Sequence, residues 1–446
     1  MLTRKIGIKF LTVLLIMLFA ATTAFAADPV KLIFNGKEYK ADITIEDGVS
    51  YIPAAALKRI PGLEVGDDPI VPIRQLFESQ GGVVSWDNDN RQVIVSWREK
   101  AGEFTADELV MKNSELLKEG NSYKMEGSNT IEFEFEGIED HLTGMLNMPK
   151  MEVFIEGVFQ YEPMAMYLKQ TIKMPLDEIE LSPEELEIAG ITEEMITEMV
   201  WFDNAIYQKT PMSDQWVFQD LTDKEEMFDF NNLMQMTPQQ SIEMMDKAGV
   251  INVFGEDVEK DGKEYYTIKN YIDADSFKSL MEEALEKIDL ASFMAAFGTQ
   301  SEGTEDISAQ FEKVFDVILN NMAIEYYIDT LINKETLLSD YMSIDLNMTI
   351  DVKQLMDAMA EITEIDEAEK EEIPEGPMSL KLKMKGDYQM SDYGTELELP
   401  DLSNAISQEE YIEQLMEELG ALEELPDVEE ETVEELEATE PEVVEE

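Results

Sequence analysis

Residues 131–136 read Ile-Glu-Phe-Glu-Phe-Glu, and residues 378–384 read Met-Ser-Leu-Lys-Leu-Lys-Met. Strict alternation of apolar and polar residues is typical of a β-strand with one buried face and one exposed face. The exposed face is acidic in the first stretch and basic in the second. Both stretches therefore predict half-buried strands.

Similar strand patterns fill much of the chain and alternate with helix signals. Thr105 and Glu108 form a capping box, and Ser182 and Thr237 are further candidate helix starts. The predicted strands are 151–160, 164–174, 201–209, 215–221, 324–330 and 344–352, and residues 258–268 predict a hairpin that turns at Asp261-Gly262. The predicted helices begin at 105, run from 182 towards 200, and cover 237–249, 276–297 and 307–322. A leading helix, a long run of strands and helices inserted late predict an α+β fold.

Residues 27–99 form a small α+β unit of their own. Asn35-Gly36 is a strong hairpin turn after a strand at 30–34. Pro72 suits the start of a helix, and Gly81-Gly82 suits its end. A closing hairpin turns at 87–90.

Three groups of residues in this unit match a known module. They are Asn35-Gly36-Lys37; Val71-Pro72-Ile73-Arg74 with Phe77-Glu78; and Gly82-Val83, Trp86-Asp87 and Val93-Ile94-Val95. The unit resembles the copper amine oxidase-like N-terminal domain, also called a stalk domain. The resemblance implies an extracellular attachment or spacer module, not the oxidase catalytic domain. Because the unit contains neither His nor Cys, we expect no copper in it.

Short motifs in residues 100–402 carry a second resemblance. They are Tyr123-Lys124-Met125-Glu126-Gly127, Ile206-Tyr207-Gln208-Lys209 with Trp216-Val217, Asp261-Gly262-Lys263-Glu264-Tyr265-Tyr266, and Tyr326-Tyr327-Ile328-Asp329 with Lys334-Glu335-Thr336. The region resembles LolA/LppX-like domains. The resemblance implies an antiparallel half-barrel with helices packed on its concave face, and a cavity that binds lipid or lipidated cargo.

The N-terminus predicts export. Arg4, Lys5 and Lys9 precede an apolar run at 10–21, and Ala24-Phe25-Ala26 offers the small residues that a signal peptidase reads. We therefore expect a signal peptide at 1–26. The chain contains no cysteine, so we expect neither a lipid anchor nor disulfides, and a secreted protein at the cell surface or cell wall.

The chain is strongly acidic, with a formal net charge of −65 at pH 7. Such a charge repels phosphate backbones, so nucleic acid is not an expected partner. An adaptation to a saline habitat is an equal alternative to a binding role. Residues 403–446 alternate Glu runs with a few apolar residues, which predicts a disordered acidic tail with weak binding of divalent cations at most.

The residue inventory argues against an enzyme. His141 is the one histidine of the chain, in a predicted loop, and no cysteine is present for Cys-His chemistry or zinc. A hydrolase that uses paired carboxylates is a weaker alternative. Met145, Met148 and Met151 have a spacing found in copper(I) sites, but on a strand Met148 points away from the other two. We expect no catalytic residues, metal or cofactor.

The leading hypothesis is a non-enzymatic binding protein. The chain has 29 methionines, whose flexible thioethers suit a pocket for varied apolar ligands or simply fill gaps in a core. The candidate cavity residues are Phe133, Phe135, Met151, Met164, Met166 and Trp216. The expected partners are a lipid or lipidated protein and the cell wall. A structural or adhesive surface protein with no small-molecule ligand is the alternative.

Overall fold

The computed structural model describes residues 30–137, 150–176, 191–211, 213, 215–221, 237–285, 313, 316–362 and 376–414. It shows a small N-terminal module with two short sheets, followed by a 13-stranded sheet with helices at its margins. The α+β class predicted from the sequence is confirmed. The predicted signal peptide, His141 and the acidic tail beyond 414 lie outside the described residues.

The N-terminal module is built from short strands and one α-helix. Its elements are β1 Lys31–Phe34, β2 Lys37–Tyr39, β3 Thr44–Glu46, β4 Val49–Pro53, a 3-10 helix Ala54–Arg59, β5 Ile70–Pro72, α1 Ile73–Ser79, β6 Val83–Asp87 and β7 Gln92–Ser96. One sheet has the order β2-β1-β7-β6, with β1 and β7 parallel, and β3, β4 and β5 form the other. Asn35 and Gly36 both have positive φ at the predicted turn, which glycine and asparagine tolerate.

The core of the N-terminal module lies between its two sheets and α1. Leu32, Ile52, Phe77 and Trp97 are fully buried there. The indole nitrogen of Trp97 donates a hydrogen bond of 3.1 Å to the carbonyl oxygen of Gln80, so the ring is both packed and satisfied.

The remaining elements belong to the larger domain. They are β8 Lys100–Ala101, β9 Phe104–Thr105, α2 Ala106–Gly120, β10 Ser122–Glu136, β11 Met151–Gln160, β12 Ala165–Lys173, β13 Glu194–Phe202, β14 Ala205–Lys209, β15 Val217–Asp220, α3 Pro238–Lys247, β16 Val253–Phe254, β17 Val258–Lys260, β18 Lys263–Asp273, α4 Ala274–Leu285, β19 Met322–Asn333, β20 Ser339–Asp351, α5 Val352–Ile362, β21 Ser379–Ser391 and β22 Ile406–Ser407.

The large sheet brings the two opening stretches of sequence together. Its order is β16-β18-β19-β20-β21-β10-β11-β12-β13-β14-β15-β22, with β17 also on β18, and every pair but β15–β22 is antiparallel. At its centre, β10 pairs with β21, so that Glu134 stands opposite Lys381 and Phe133 opposite Leu382. The acidic face of one strand therefore meets the basic face of the other, and their apolar faces coincide.

Three secondary-structure predictions were wrong. Strand β13 includes residues 194–200 of the helix predicted from 182 towards 200, since pairing with β12 holds these residues in an extended strand. The predicted strand 201–209 is broken by a turn at Asp203 and Asn204, which both have positive φ. Met322, predicted to end a helix, begins β19.

The predicted tail also begins too early. Residues 406–407 form β22, which pairs with β15 and places Ile406 opposite Val217.

The capping box at the start of α2 is confirmed, with the Thr105 side chain accepting from the Glu108 backbone and the Glu108 carboxylate accepting from the Thr105 backbone.

The N-terminal module and the large domain share a packed and charged contact. Val253 of β16 belongs to the core cluster of the module. The Lys37 ammonium bridges Asp107 and Asp246, and the Arg59 guanidinium pairs with Asp273 and, at 2.9 Å, with another aspartate, Asp275. The module is therefore fixed to the β18 side of the large sheet.

Candidate functional site

The two faces of the large sheet have opposite character. In antiparallel strands, residues that stand opposite each other lie on the same face, so the register assigns every side chain. One transverse row across six strands is apolar throughout: Ile272, Tyr326, Leu346, Met384, Ile131 and Met151. A second row is Tyr123, Phe159, Met166, Trp201 and Ile206. We call the face that contains these rows the apolar face, and its opposite the polar face.

The apolar face lacks charge over most of the sheet. In β10–β15, β19, β21 and β20 from Tyr341 onward, no position on this face holds Asp, Glu, Lys or Arg. The polar positions it does contain are uncharged, such as Gln170 and Thr197. A continuous uncharged surface of this kind either packs against another apolar surface or binds an apolar ligand.

Methionines concentrate on this face. The strands of the large sheet contain ten methionines, and all of them are on the apolar face: Met125, Met151, Met166, Met195, Met199, Met322, Met342, Met348, Met384 and Met390. Because thioethers are flexible and polarisable, the face adapts its shape to what it contacts.

Helix α2 covers one end of the apolar face. Leu109 is fully buried against Ile268 of β18 and Ile332 of β19. Towards the middle of the sheet, Val153, Ile344 and Tyr388 are buried, whereas other side chains such as Phe133 and Met384 are only half-buried. The face is thus sealed at its β18 end and retains accessible apolar surface at its centre.

Tyrosines on the apolar face report a low-dielectric environment. Burial raises the pKa of Tyr326 and Tyr388 above the usual value of 10, and it raises the pKa of Tyr123 further still. Desolvation disfavours the phenolate, because its charge has less water around it. Tyr123 also stacks on Phe159 of the neighbouring strand β11 on the same face, with ring centroids 5.2 Å apart.

Two glycines permit close packing at the centre of the face. Gly127 lies opposite Tyr388, and Gly386 lies opposite Asn129. A Cβ on Gly127 would come within 2.4 Å of the Tyr388 ring. The Tyr388 hydroxyl donates a 2.7 Å hydrogen bond to Asn129 Oδ1. The aromatic ring therefore lies over the bare backbone of Gly127, which restores packing where a glycine would weaken the sheet.

The polar face is held by cross-strand ion pairs. Lys383 contacts Glu134 at 2.6 Å, and Lys150 contacts Glu132 at 2.8 Å. The hydrogen bond from Lys381 and its charge hold the pKa of Glu136 below its usual range. These pairs are exposed, so each contributes little to stability. Together they keep the polar face charged and solvated, in contrast to the uncharged apolar face.

The structure brings four of the six predicted cavity residues onto one face. Phe133, Phe135, Met151 and Met166 all belong to the apolar face. Met164 lies between the Glu162–Pro163 peptide and the start of β12, and half-buried Trp216 lies just before β15. The register does not assign those two side chains to the apolar face.

Several apolar-face residues were not among the predicted cavity residues. They include the methionines at 342, 348, 384 and 390 and the isoleucines at 324 and 328. Alternation within the predicted strands 344–352 and 378–384 was a sufficient signal for Met348 and Met384, whereas Met342 and Met390 lie outside those predicted ranges. Met145 and Met148 of the copper hypothesis lie outside the described residues.

Metal-ligating side chains do not cluster in the part of the chain that the structure describes. Within the ranges given above, no group of three or more His, Asp or Glu side chains is placed to hold a metal ion. In the same part of the chain, no helix has both the length and the apolar character needed to cross a membrane.

Comparison with known proteins finds similar solved structures, LprF and LppX among them, and no family. LprF from Mycobacterium bovis is 12% identical, with 67% of this chain and 96% of that chain covered and a TM-score of 0.27. The lipoprotein LppX of Mycobacterium tuberculosis is 13% identical, with 66% and 98% covered and a TM-score of 0.24. No family model and no curated protein matches the sequence. LppX is one of the proteins named in the resemblance seen in the sequence, but these scores carry no conclusion about the ligand of this chain.

Proposed function

We propose that the apolar face binds an apolar ligand, either a lipid or the acyl chain of a lipidated protein. The observation that supports this most directly is the combination of an uncharged surface, ten methionines and half-buried side chains at the centre of one sheet face. An acyl chain needs a broad adaptable apolar contact and no specific hydrogen bonds, and this face provides that. In this proposal the sheet acts as a half-barrel, and α2 is one of the helices on its concave side.

The same proposal makes the protein an exported, non-enzymatic carrier at the cell surface. The N-terminal pattern supports export. The scarcity of His and Cys supports a binding role rather than catalysis. The alternative is a structural surface protein whose apolar face only packs against its own chain, and the following experiment separates the two.

The first test is extraction of the purified full chain with organic solvent, followed by mass spectrometry of the extract. A carrier yields bound lipid. The delipidated chain is then titrated with the fluorescent fatty acid cis-parinaric acid. A structural protein yields neither bound lipid nor saturable probe binding, and that result would overturn the proposal.

A pair of variants locates the site. Met348→Gln with Met384→Gln places two amides on the apolar face, where they meet the ligand without hydrogen-bond partners at a cost of about 1–3 kcal/mol each. We expect probe affinity to fall by about tenfold or more. Thr349→Gln with Lys383→Gln is the matched control, one residue along the same strands on the polar face, and it should leave probe affinity unchanged.

A further inference from the structure

A straight row of short side chains crosses the centre of the polar face. Asp329, Ser343, Asp387 and Ser128 stand opposite one another in turn on β19, β20, β21 and β10. Phe154 of β11 continues the row. With neighbouring strands about 4.8 Å apart, the row from Asp329 to Phe154 is about 19 Å long.

Side chains that are mostly longer flank this row on both sides. Tyr341, Gln389 and Glu126 form one neighbouring row. Tyr327, Asp345 and Lys385 form the other. Short residues between long ones leave a trough across the strands, and the structure contains two clefts there of about 410 and 430 Å³. Both clefts are lined by Asp329, Ser343 and Asp387, so they adjoin along this row, and we call the two clefts together the trough.

The ends of the trough are defined by different parts of the chain. At the β19 end, Gly62 of the N-terminal module and Lys269 of β18 line the cleft. Towards the other end lies the Phe154 ring, which is 36% exposed, and Tyr327 is equally exposed along one wall. The Lys173 ammonium lies 4.8 Å from the centroid of the Phe154 ring, and the Tyr327 ring contacts Tyr271, so each ring is only partly open to a ligand. The trough is thus a bounded site with two partly exposed aromatic rings.

The floor and one wall carry unused hydrogen-bonding groups. The side chains of Ser128, Ser343, Asp387 and Gln389 make no hydrogen bond or ion pair with any other described residue. Together they present two hydroxyls, one carboxylate and one amide. These groups suit a ligand that carries many hydroxyls, because each hydroxyl both donates and accepts.

The charges of the trough favour a neutral ligand. Lys269 pairs with Asp329, and Lys385 contacts Asp345 at 2.9 Å, so most of the nearby charges are already matched. The net charge of the chain repels anions. A sugar chain fits these conditions, since its hydroxyls match the polar floor and the flatter apolar faces of its rings match Phe154 and Tyr327.

From this juxtaposition we infer that the trough binds a neutral oligosaccharide. The site is on the opposite face of the sheet from the proposed lipid site and does not depend on it. A chain that lies across β19, β20, β21, β10 and β11 would place successive sugar units over Ser343, Asp387 and Ser128.

The test uses the full chain and three soluble probes, N-acetylchitotetraose, cellotetraose and maltotetraose, titrated by calorimetry, with insoluble bacterial sacculi as a pull-down probe. We expect at least one of these carbohydrates to bind. Ser343→Ala with Asp387→Ala should weaken that binding by about tenfold or more, since it removes two hydrogen-bonding groups from the floor.

The control is Thr349→Ala with Lys381→Ala, a cross-strand pair on the same face of the same two strands outside the trough. It should change sugar affinity by less than about twofold. Binding of cis-parinaric acid should be unchanged in both variants, which separates this site from the apolar one. The inference is overturned if none of the carbohydrates binds, if the trough variant binds as well as the control, or if tetralysine binds the trough more tightly than any sugar.

Discussion

The N-terminal module and the large sheet use apolar residues in two different ways. In the module, Ile52, Phe77 and Trp97 are 0–1% exposed, because two sheets and a helix close around them. In the middle of the large sheet, Phe133 and Met384 are only half-buried. These three side chains of the module form a closed core with almost no exposed apolar surface. The side chains in the middle of the large sheet keep part of their apolar surface exposed, and this surface can contact a ligand.

The largest expected effect is on the free energy of unfolding, which should fall more for a residue of the closed core than for one of the partly exposed face. Phe77→Ala should lower the free energy of unfolding by about 3–5 kcal/mol, because it leaves a cavity in a sealed core. Phe133→Ala should cost about 1–2 kcal/mol, since less of its surface is removed from water. Urea denaturation followed by tryptophan fluorescence measures both values.

Ligand binding should show the reverse order. Phe133→Ala should weaken the binding of cis-parinaric acid, and Phe77→Ala should not change it while the protein remains folded. Equal losses of stability in the two variants, with no change in probe binding, would mean that the apolar face is a closed core and does not contact the ligand.

The second effect concerns the contact between Gly127 and the Tyr388 ring, which covers the backbone at the centre of the apolar face. A Cβ on Gly127 would lie 2.4 Å from the Tyr388 ring and 2.7 Å from the carbonyl oxygen of Asp387. Gly127→Ala should therefore destabilise the protein by about 1–3 kcal/mol, because backbone atoms must move. Thermal unfolding measures the loss.

Gly66→Ala is the matched control for this change. A Cβ at Gly66 meets no atom within 4 Å, so its effect should be within about 0.5 kcal/mol of zero. If Gly127→Ala were equally harmless, the Tyr388 ring would not be packed on the strand, and the centre of the face would be more open than it is in the structure.

The sequence was sufficient to predict the strands with the clearest alternation. The stretches 131–136 and 378–384 were assigned correctly, and so were the apolar sides of their residues, because alternation is a local property. The helix start at Thr105 was also local. The strand at 194–200 was missed, because its pairing with β12 decides its structure and that pairing is not a local property of the sequence.

The polar trough was beyond prediction from the sequence. Ser128, Ser343 and Asp387 are far apart in the chain and look like ordinary exposed residues of three separate strands. They form a row only because the registers of β10, β20 and β21 align. A one-residue shift in one strand would move that strand's side chains to the opposite face.

A third, smaller effect tests the contact between the two regions. Arg59 of the module is partly buried and pairs with Asp273 and Asp275 of the large domain. Arg59→Ala should cost about 1–2 kcal/mol, because Asp273 loses its charged partner in a partly desolvated contact. Denaturation at low and high salt measures this cost, which should shrink as salt screens the pair.

Arg74→Ala is the control for charge removal, because Arg74 forms an exposed pair with Glu78 on α1 of the module alone. Its cost should be about 0.5 kcal/mol or less. If the two variants behaved alike, the ion pairs between the module and the sheet would add nothing to the apolar contact through Val253.

The smallest expected effect is on the pH dependence of stability, which should differ between the two faces of the sheet. On the polar face, ion pairs with Lys150 and Lys381 hold the pKa values of Glu132 and Glu136 below their usual range. A carboxyl with a lowered pKa in the folded state stabilises the protein above the unfolded pKa of about 4.3, and this contribution is lost as pH falls through the folded value. On the apolar face, burial raises the pKa of Tyr326 above 10, so its contribution is present below pH 10 and is lost as pH rises further.

Glu132→Gln with Glu136→Gln should therefore flatten the acid limb of a plot of urea midpoint against pH, and Tyr326→Phe should flatten the alkaline limb alone. Loss of the acid limb in Tyr326→Phe would contradict the assignment of the two faces, because a phenol that is neutral in both states below pH 8 has no proton to exchange there.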